Sequence, residues 1–398
     1  MKFLLGLLFM SIVFLTLLAS CSSALPAATD PTSTPPPTPI PRDVYYVDGE
    51  LGSDSNPGTK SQPWQSIDKA VNTVAAGDLL YVRGGEYKTI FAGWDFQNSG
   101  TKTQPITISN YPGEQVVINI SQSSLDYRAF RCWAAPTDPA SWQTPKADYI
   151  RITGTDVSAR VLSNGVTSQK GIVVQGVKGE QGMGIEAAGC DNWEVSGLDF
   201  VDVAYGIFTK KRNFRTTQDY SPDNWYVHNN RVYSFYRESG MQFNGNYNLI
   251  ENNEIYKVSN ELNTPYGCQL LNLDGNNNIV KRNTLSRLGS TANCGGILLE
   301  WDLADANIIE QNTISDVPWI LSIAGGDNNI FRNNILYPND KNWLEVYNYD
   351  NYSGWPCNEE TDSQADIPAN DPSAPDYKYY YPHDCHSEGN QVYDNIVR

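Results

Sequence analysis

The pattern of apolar and polar positions is most regular over residues 248–336, where one short phrase recurs. It reads Asn248-Leu-Ile-Glu-Asn-Asn253-Glu-Ile255, then Asn278-Ile-Val-Lys-Arg-Asn283-Thr-Leu285, then Asn307-Ile-Ile-Glu-Gln-Asn312-Thr-Ile314, then Asn329-Ile-Phe-Arg-Asn-Asn334-Ile-Leu336. With Ile250, Val280, Ile309 and Phe331 taken as equivalent, the steps are 280 − 250 = 30, 309 − 280 = 29 and 331 − 309 = 22 residues. A recurrence of that length is a solenoid period. The apolar residues come in short β-branched or aromatic runs separated by Asn and Gly, which predicts short strands and turns. One coil of this kind cannot bury its own apolar face, so successive coils must stack and pile equivalent side chains into rows. Asn253, Asn283, Asn312 and Asn334 then fall at one turn of each coil, where an inward amide can bond the backbone above and below and where Asn also tolerates the left-handed conformation. The expected architecture is an all-β, right-handed parallel β-helix.

The same phrase appears in weaker form earlier, at Ile150-Arg-Ile-Thr, Trp193-Glu-Val-Ser-Gly-Leu-Asp-Phe200 and Tyr226-Val-His-Asn-Asn230-Arg-Val232. It returns once more at Asn390-Gln-Val-Tyr-Asp-Asn395-Ile-Val397. No capping segment follows that last coil, which is the expectation for a reading frame cut short. Residues 130–147 and 343–389 interrupt the stack and read as insertions, of the kind that gather on one side of a solenoid and build its binding face. Near the start, residues 43–87 read as an N-terminal cap. There Trp64, Ile67, Ala70, Val71 and Val74 recur at helical spacing and predict an amphipathic helix over residues 64–75 that covers the open end of the stack.

The extreme N-terminus has a different pattern. Met1-Lys2 precedes an apolar run over residues 3–19 and then Ser20-Cys21. That arrangement predicts a secretory signal, and Leu18-Ala19-Ser20-Cys21 resembles a bacterial lipobox, which implies lipidation at Cys21. Residues 22–42, rich in Pro and Thr, cannot form a core and read as a tether. The folded domain, residues 43–398, is therefore expected outside the cytoplasm, lipid-anchored to the membrane or cell surface. Setting Cys21 aside leaves six cysteines, an even number suited to an oxidising compartment. Cys268 and Cys294 stand in consecutive coils and Cys357 and Cys385 bracket the later insertion, so these pairs are the expected bridges. The formal net charge of −17, from 45 acidic and 28 basic residues, argues against nucleic acid and is compatible with calcium or a neutral substrate. The 24 Tyr and 10 Trp could stack on sugar rings.

Within residues 45–118 the chain resembles a known family. Tyr45-Tyr-Val47, Gly52-Ser-Asp-Ser-Asn-Pro-Gly-Thr59, Pro63-Trp64, Ala76-Gly-Asp78, Gly85-Glu-Tyr87, Gln104-Pro-Ile-Thr-Ile108 and Tyr111-Pro-Gly113 are similar to the opening coils of secreted right-handed β-helix proteins of the pectate-lyase-like superfamily. The resemblance implies the scaffold and a polysaccharide partner. It leaves open lyase, glycoside hydrolase and non-catalytic binding, because fold does not fix function.

Alternation along the strand before each repeat turns Lys210, Gln242, Asn244, Asn272, Asp274, Glu300, Asp302, Ser322, Glu345 and Tyr347 outward on one sheet, about 4.8 Å apart from coil to coil. A lyase performing β-elimination on a uronate needs a base for the C5 proton and a positive charge for the carboxylate. Lys210 and Arg237 are the candidate bases, and the resemblance implies calcium, with Asp274, Asp302 and Asp305 as its candidate ligands. A hydrolase needs paired carboxylates, for which Asp274 with Glu300 or Asp302 qualifies. Gln242, Asn244, Asn272, Trp301 and Tyr347 are the candidate substrate contacts, with Trp319, Tyr236 and Tyr266 as further sugar platforms. No organic cofactor is expected, and a monomer is.

Overall fold

The computed structural model describes residues 43–89, 93–120, 127–134, 144–179, 182–210, 220–264, 267–300, 304–339, 343–347, 387 and 389–398. Among these residues three long parallel sheets of 11, 10 and 9 strands run the length of the stack, with one small antiparallel pair, Arg160–Val161 with Thr167–Ser168. Each complete coil gives one strand to each sheet. The pairing places Leu80, Ile108, Ile152, Val195, Val227, Ile250, Val280, Ile309 and Phe331 in one inward row of the 11-stranded sheet. Every member of that row is essentially inaccessible to solvent. The equivalence of Ile250, Val280, Ile309 and Phe331 read from the repeat is thus the real register. Burying one such side chain contributes roughly 1.5–3 kcal/mol, and the rows share one continuous core, so the stack is held coil against coil.

Two buried asparagine ladders close the turns. Asn253, Asn283 and Asn312 each accept, through Oδ1, the backbone N–H of the ladder residue one coil earlier, at 2.8–3.0 Å. Their Nδ2 groups reach back to the carbonyls of Val227, Ile250 and Val280. A parallel ladder joins Asn248, Asn278, Asn307, Asn329 and Asn390 through the same bonds from backbone N–H to the next Oδ1. The left-handed position, however, is not the ladder asparagine. It is the residue before it: Asn252, Arg282, Gln311 and Asn333 have φ of 53°, 57°, 58° and 54°. The amide bonds of the following Asn hold that turn open for any side chain.

The capping helix is shorter than expected and covers Ile67–Val71, with Ile67, Ala70 and Val71 buried and Ser66 capping its N-terminus. Trp64 is not helical because its backbone pairs with the first strand, its N–H donating to Tyr46 O and its carbonyl accepting from Asp48 N–H. Residues 130–147 are also not wholly an insertion. Arg128–Trp133 is a strand of the nine-stranded sheet, in register with Met183–Ala188. Cys268 and Cys294 are register partners joined by a disulfide, as expected, and a second disulfide joins Cys132 to Cys190. Cys357 and Cys385 lie outside the described residues, as does most of the later insertion; its strand Leu344–Tyr347 extends the nine-stranded sheet.

Candidate functional site on the nine-stranded sheet

The outer face of the nine-stranded sheet carries two rows of side chains set by strand pairing. One row runs Asp95, Arg131, Glu186, Phe208, Gln242, Asn272, Leu298, Ser322 and Glu345. Two residues further along, Trp133 pairs with Ala188 and Glu300 with Ala324 and Tyr347 in turn, and between them Lys210, Asn244 and Asp274 stand just past the ends of their strands, Asn244 bonded to Asp274. Alternation therefore assigned Lys210, Gln242, Asn244, Asn272, Asp274, Glu300, Ser322 and Glu345 to the face they occupy. Tyr347 takes the corresponding register position beside Ala324. Cys21, Trp301, Asp302 and Tyr266 lie outside the described residues.

Lys210 follows the strand Ile207–Thr209, and its backbone N–H donates to Ala187 O at 2.8 Å. Its ammonium lies 5.8 Å from the centroid of the Trp133 ring. Burial holds its pKa below the usual lysine value, against the opposing pull of Glu186. On the C-terminal side the face is built of amides and acids in pairs. Asn244 Nδ2 donates to Asp274 Oδ2 at 2.6 Å, and Asn272 Nδ2 donates to Glu300 Oε2 at 2.7 Å. The amide oxygens of both asparagines are buried and find no partner among the described residues.

Four charged groups at the N-terminal end of this face were not singled out from the sequence. Asp95 accepts from Arg131 Nε at 2.9 Å, and Arg128 pairs with Glu186. Arg131 and Glu186 are buried despite facing outward, and Arg128, at the start of the strand, is buried as well. Burial raises Asp95 to about 6, more than Arg131 can lower it. The clue was the alternation Ala129-Phe130-Arg131-Cys132-Trp133, which reads as a strand once the Pro-rich segment after it is set apart.

Other expected site residues are elsewhere. Arg237 stands in the corner before the strand Ser239–Phe243, its guanidinium on Glu238 and on the carbonyl of Asn263. Tyr205, whose hydroxyl bonds Glu238, precedes the strand that Lys210 follows, so this corner lies at the other end of that strand from Lys210. Asp305 is in a turn, where its Oδ1 accepts the N–H of Asp327 at 2.8 Å. There it continues a third ladder through Asp148, Asp191, Asp223, Asn246 and Asn276, in which each side chain caps the next coil's backbone. Tyr236 is no platform, being fully buried with its hydroxyl on Asp202 Oδ1 at 2.8 Å. Trp319 packs against Gly295, where a Cβ would sit 1.9 Å from its Nε1. Among the described residues no group of three or more His, Cys, Asp or Glu side chains is placed to hold a metal ion.

A sequence model of the Pel9A-like, right-handed beta helix region matches residues 45–313 of the chain. The chain belongs to this Pel9A-like family. That range includes Asp95, Lys210, Asn244, Asp274 and Glu300. The Bacillus subtilis protein YwoF is 40% identical over 77 residues, 19% of this chain and 16% of that protein. Pectate lyase PEL9 of Emericella nidulans is 37% identical over 83 residues, 21% of this chain and 20% of that protein. The matches thus span a fifth or less of these relatives. Among solved structures, pectate lyase Pel9A aligns over 90% of this chain and 78% of its own, with 13% identity and a TM-score of 0.47.

Proposed function

We propose that this Pel9A-like protein is a polysaccharide lyase that cleaves a uronate-containing chain by β-elimination, with Lys210 as the base. The observation that carries the reading is Lys210 itself: an outward lysine beside an indole ring, with burial favouring its neutral amine. A base is most effective when its pKa approaches the working pH. In the proposed step the Lys210 amine takes the C5 proton of the uronate, and that electron pair forms the C4–C5 double bond. The C4–O bond to the neighbouring sugar breaks, and the departing oxygen takes up a proton. Gln242, Asn244 and Asn272 face the same side and supply amide groups for sugar hydroxyls. The reading is in keeping with the family, whose model is named after Pel9A, and with the relative named as a pectate lyase. Calcium would supply charge for the carboxylate, and Asp274, bonded to Asn244, is the candidate ligand on this face.

The test is ultraviolet absorbance of the new double bond, followed together with reducing ends, on uronate and neutral polysaccharides with and without chelator. Lys210→Ala is expected to lower elimination by about 10²–10⁴-fold. Loss of activity in chelator alone would add the metal to the reading. A second reading rests on Asp274 and Glu300, neighbours in one row about 4.8 Å apart by strand spacing, close to the roughly 5–5.5 Å of retaining glycoside hydrolases. Reducing ends without absorbance, lost in Glu300→Gln, would establish that reading instead. Silence in both, with glycan still retained, would leave a binding protein.

We also infer that the protein is secreted and lipid-anchored through Cys21, with residues 22–42 as the tether. The support is the apolar run followed by Leu18-Ala19-Ser20-Cys21. Metabolic labelling with a fatty acid should mark the protein, and Cys21→Ser should remove the label; label persisting in that variant would refute the anchor.

A further inference from the structure

Asp95, Arg131 and Glu186 lie on the outer face just before Lys210, Arg128 at the start of the same strand as Arg131 is paired with Glu186, and none of the four has a part in the proposed reaction. Their order is fixed by the strands. Asp95 and Glu186 are the register neighbours of Arg131 on either side. Arg131 binds Asp95 at 2.9 Å, and Arg128, from the same strand as Arg131, takes the Glu186 carboxylate. Lys210 is the next cation along. It follows Thr209, the register partner of Ala187, so Glu186 lies diagonally across one coil boundary, roughly 7–8 Å away by backbone spacing. Among the described groups facing Lys210, Glu186 is the acid of the preceding coil and Trp133 lies beyond it. Gln242 and Asn244 come from the following coil and are neutral; Asp274, one coil further, is bonded to Asn244. Arg237 and Glu238 occupy the corner at the far end of the strand.

We propose that Arg128 and Glu186 are positioning residues that set the charge state of Lys210, Arg128 drawing the Glu186 carboxylate away from an ion pair with the lysine. A carboxylate bonded to a guanidinium acts on a third charge only with what the guanidinium leaves over. If Arg128 is lost, Glu186 acts on Lys210 undiluted and favours the ammonium. If Glu186 is neutralised, the Arg128 guanidinium is left without its carboxylate while Arg131 keeps Asp95, and the added positive field favours the amine. Asp95 acts one step further back, since neutralising it frees Arg131 to turn toward Glu186, which also favours the amine. The catalytic consequence rests on the reading of Lys210 as the base; the charge relation does not.

The experiment is reductive ¹³C-methylation of the purified full-length protein, with pH titration of the dimethyl-lysine resonance that is absent from Lys210→Arg. Arg128→Met should raise the midpoint of that resonance and Glu186→Gln should lower it, each by on the order of one pH unit. Asp95→Asn should lower it by less, and Arg128→Lys should restore the wild-type midpoint. If Arg128→Met does not fold, Glu186→Gln and Asp95→Asn decide: both must lower the midpoint, Asp95→Asn by less, and a rise or no change in either overturns the proposal. Where Arg128→Met folds, shifts of one sign in all variants, or none, would overturn the proposal, since a merely structural network has no reason to give opposite signs. Should the resonance move as expected while Lys210→Ala leaves elimination intact, the charge device stands and the base assignment falls. If Lys210→Ala abolishes elimination and no variant moves the resonance, the device falls and the base stands.

Discussion

The Asn283 side chain makes five hydrogen bonds, one of them from Nδ2 to Lys281 O at 3.2 Å, and no other side chain could reproduce the remaining four together. Its Oδ1 accepts the backbone N–H and the side-chain amide of Asn253 at 2.8 and 3.0 Å, while its Nδ2 donates to Ile250 O and Asn312 Oδ1 at 2.9 and 3.0 Å. The residue is buried, so a donor or acceptor left over costs about 1–3 kcal/mol each. Asn276, in the outer ladder, is needed there as an acceptor, taking the N–H of Asp305 at 3.1 Å. That explains why aspartates hold the same place at 148, 191, 223 and 305. Replacing one oxygen-bearing side chain by the other should therefore separate the ladders. Asn283→Asp, which keeps the acceptor and turns the donor into a second acceptor against two oxygens, should destabilise the fold by on the order of 3 kcal/mol. Asn276→Asp should change stability by less than about 1 kcal/mol. Urea unfolding midpoints compare them directly, and equal losses would refute the distinction.

At the scale of the strand, the repeat was legible where the two asparagines recur at a fixed spacing, because the same ladders serve every coil from Tyr226 onward. Earlier coils pair in the same register without that signature. Strand Arg128–Trp133 is held by Phe130 and Cys132 facing inward and by charged neighbours outside, so Pro-rich surroundings hid it. Parity told correctly which residues of Ile297-Leu-Leu-Glu point outward. What it could not tell is that outward Arg131 and Glu186 are buried, because that depends on partners from strands far apart in sequence. The Cys268–Cys294 bridge is also an element-scale feature, tying the first residues of strands Cys268–Leu273 and Cys294–Glu300. With 26 residues between the linked positions, loop-closure entropy gives it about 3.5 kcal/mol. Cys268→Ala with Cys294→Ala should lower the unfolding free energy by that order. No change in midpoint would mean that stacking alone fixes this pair of strands.

For the whole molecule, the apolar rows determine that the chain folds, and a few buried charges determine how stability varies with pH. Lys257 is fully buried, its Nζ donating to Phe235 O and Glu261 O at 2.6 Å and lying 5.4 Å and 5.0 Å from the ring centroids of Phe235 and Tyr236. Burial lowers its pKa to about 8, with Glu261 and Asp202 opposing the fall. A lysine depressed in the folded state binds fewer protons there than in the unfolded chain, so unfolding takes up protons between the two values and stability rises with pH. The cost is full below about pH 8 and fades as pH climbs toward the ordinary lysine value of 10.5. Lys210 is shifted in the same direction and adds to the rise. Tyrosines 87, 205 and 236 are raised by burial, so the unfolded chain gives up their protons first and they begin to offset the rise as pH nears the ordinary tyrosine value of 10.0. Between pH 7 and 9.5 the unfolding free energy should therefore increase by about 2 kcal/mol from Lys257. Lys257→Met keeps the volume, leaves two carbonyls without their donor, and has nothing to titrate. Its stability should be lower at pH 9.5, and its slope across the window should shrink by the Lys257 share, leaving what Lys210 contributes. A variant that keeps the wild-type slope would show that the slope comes from other groups.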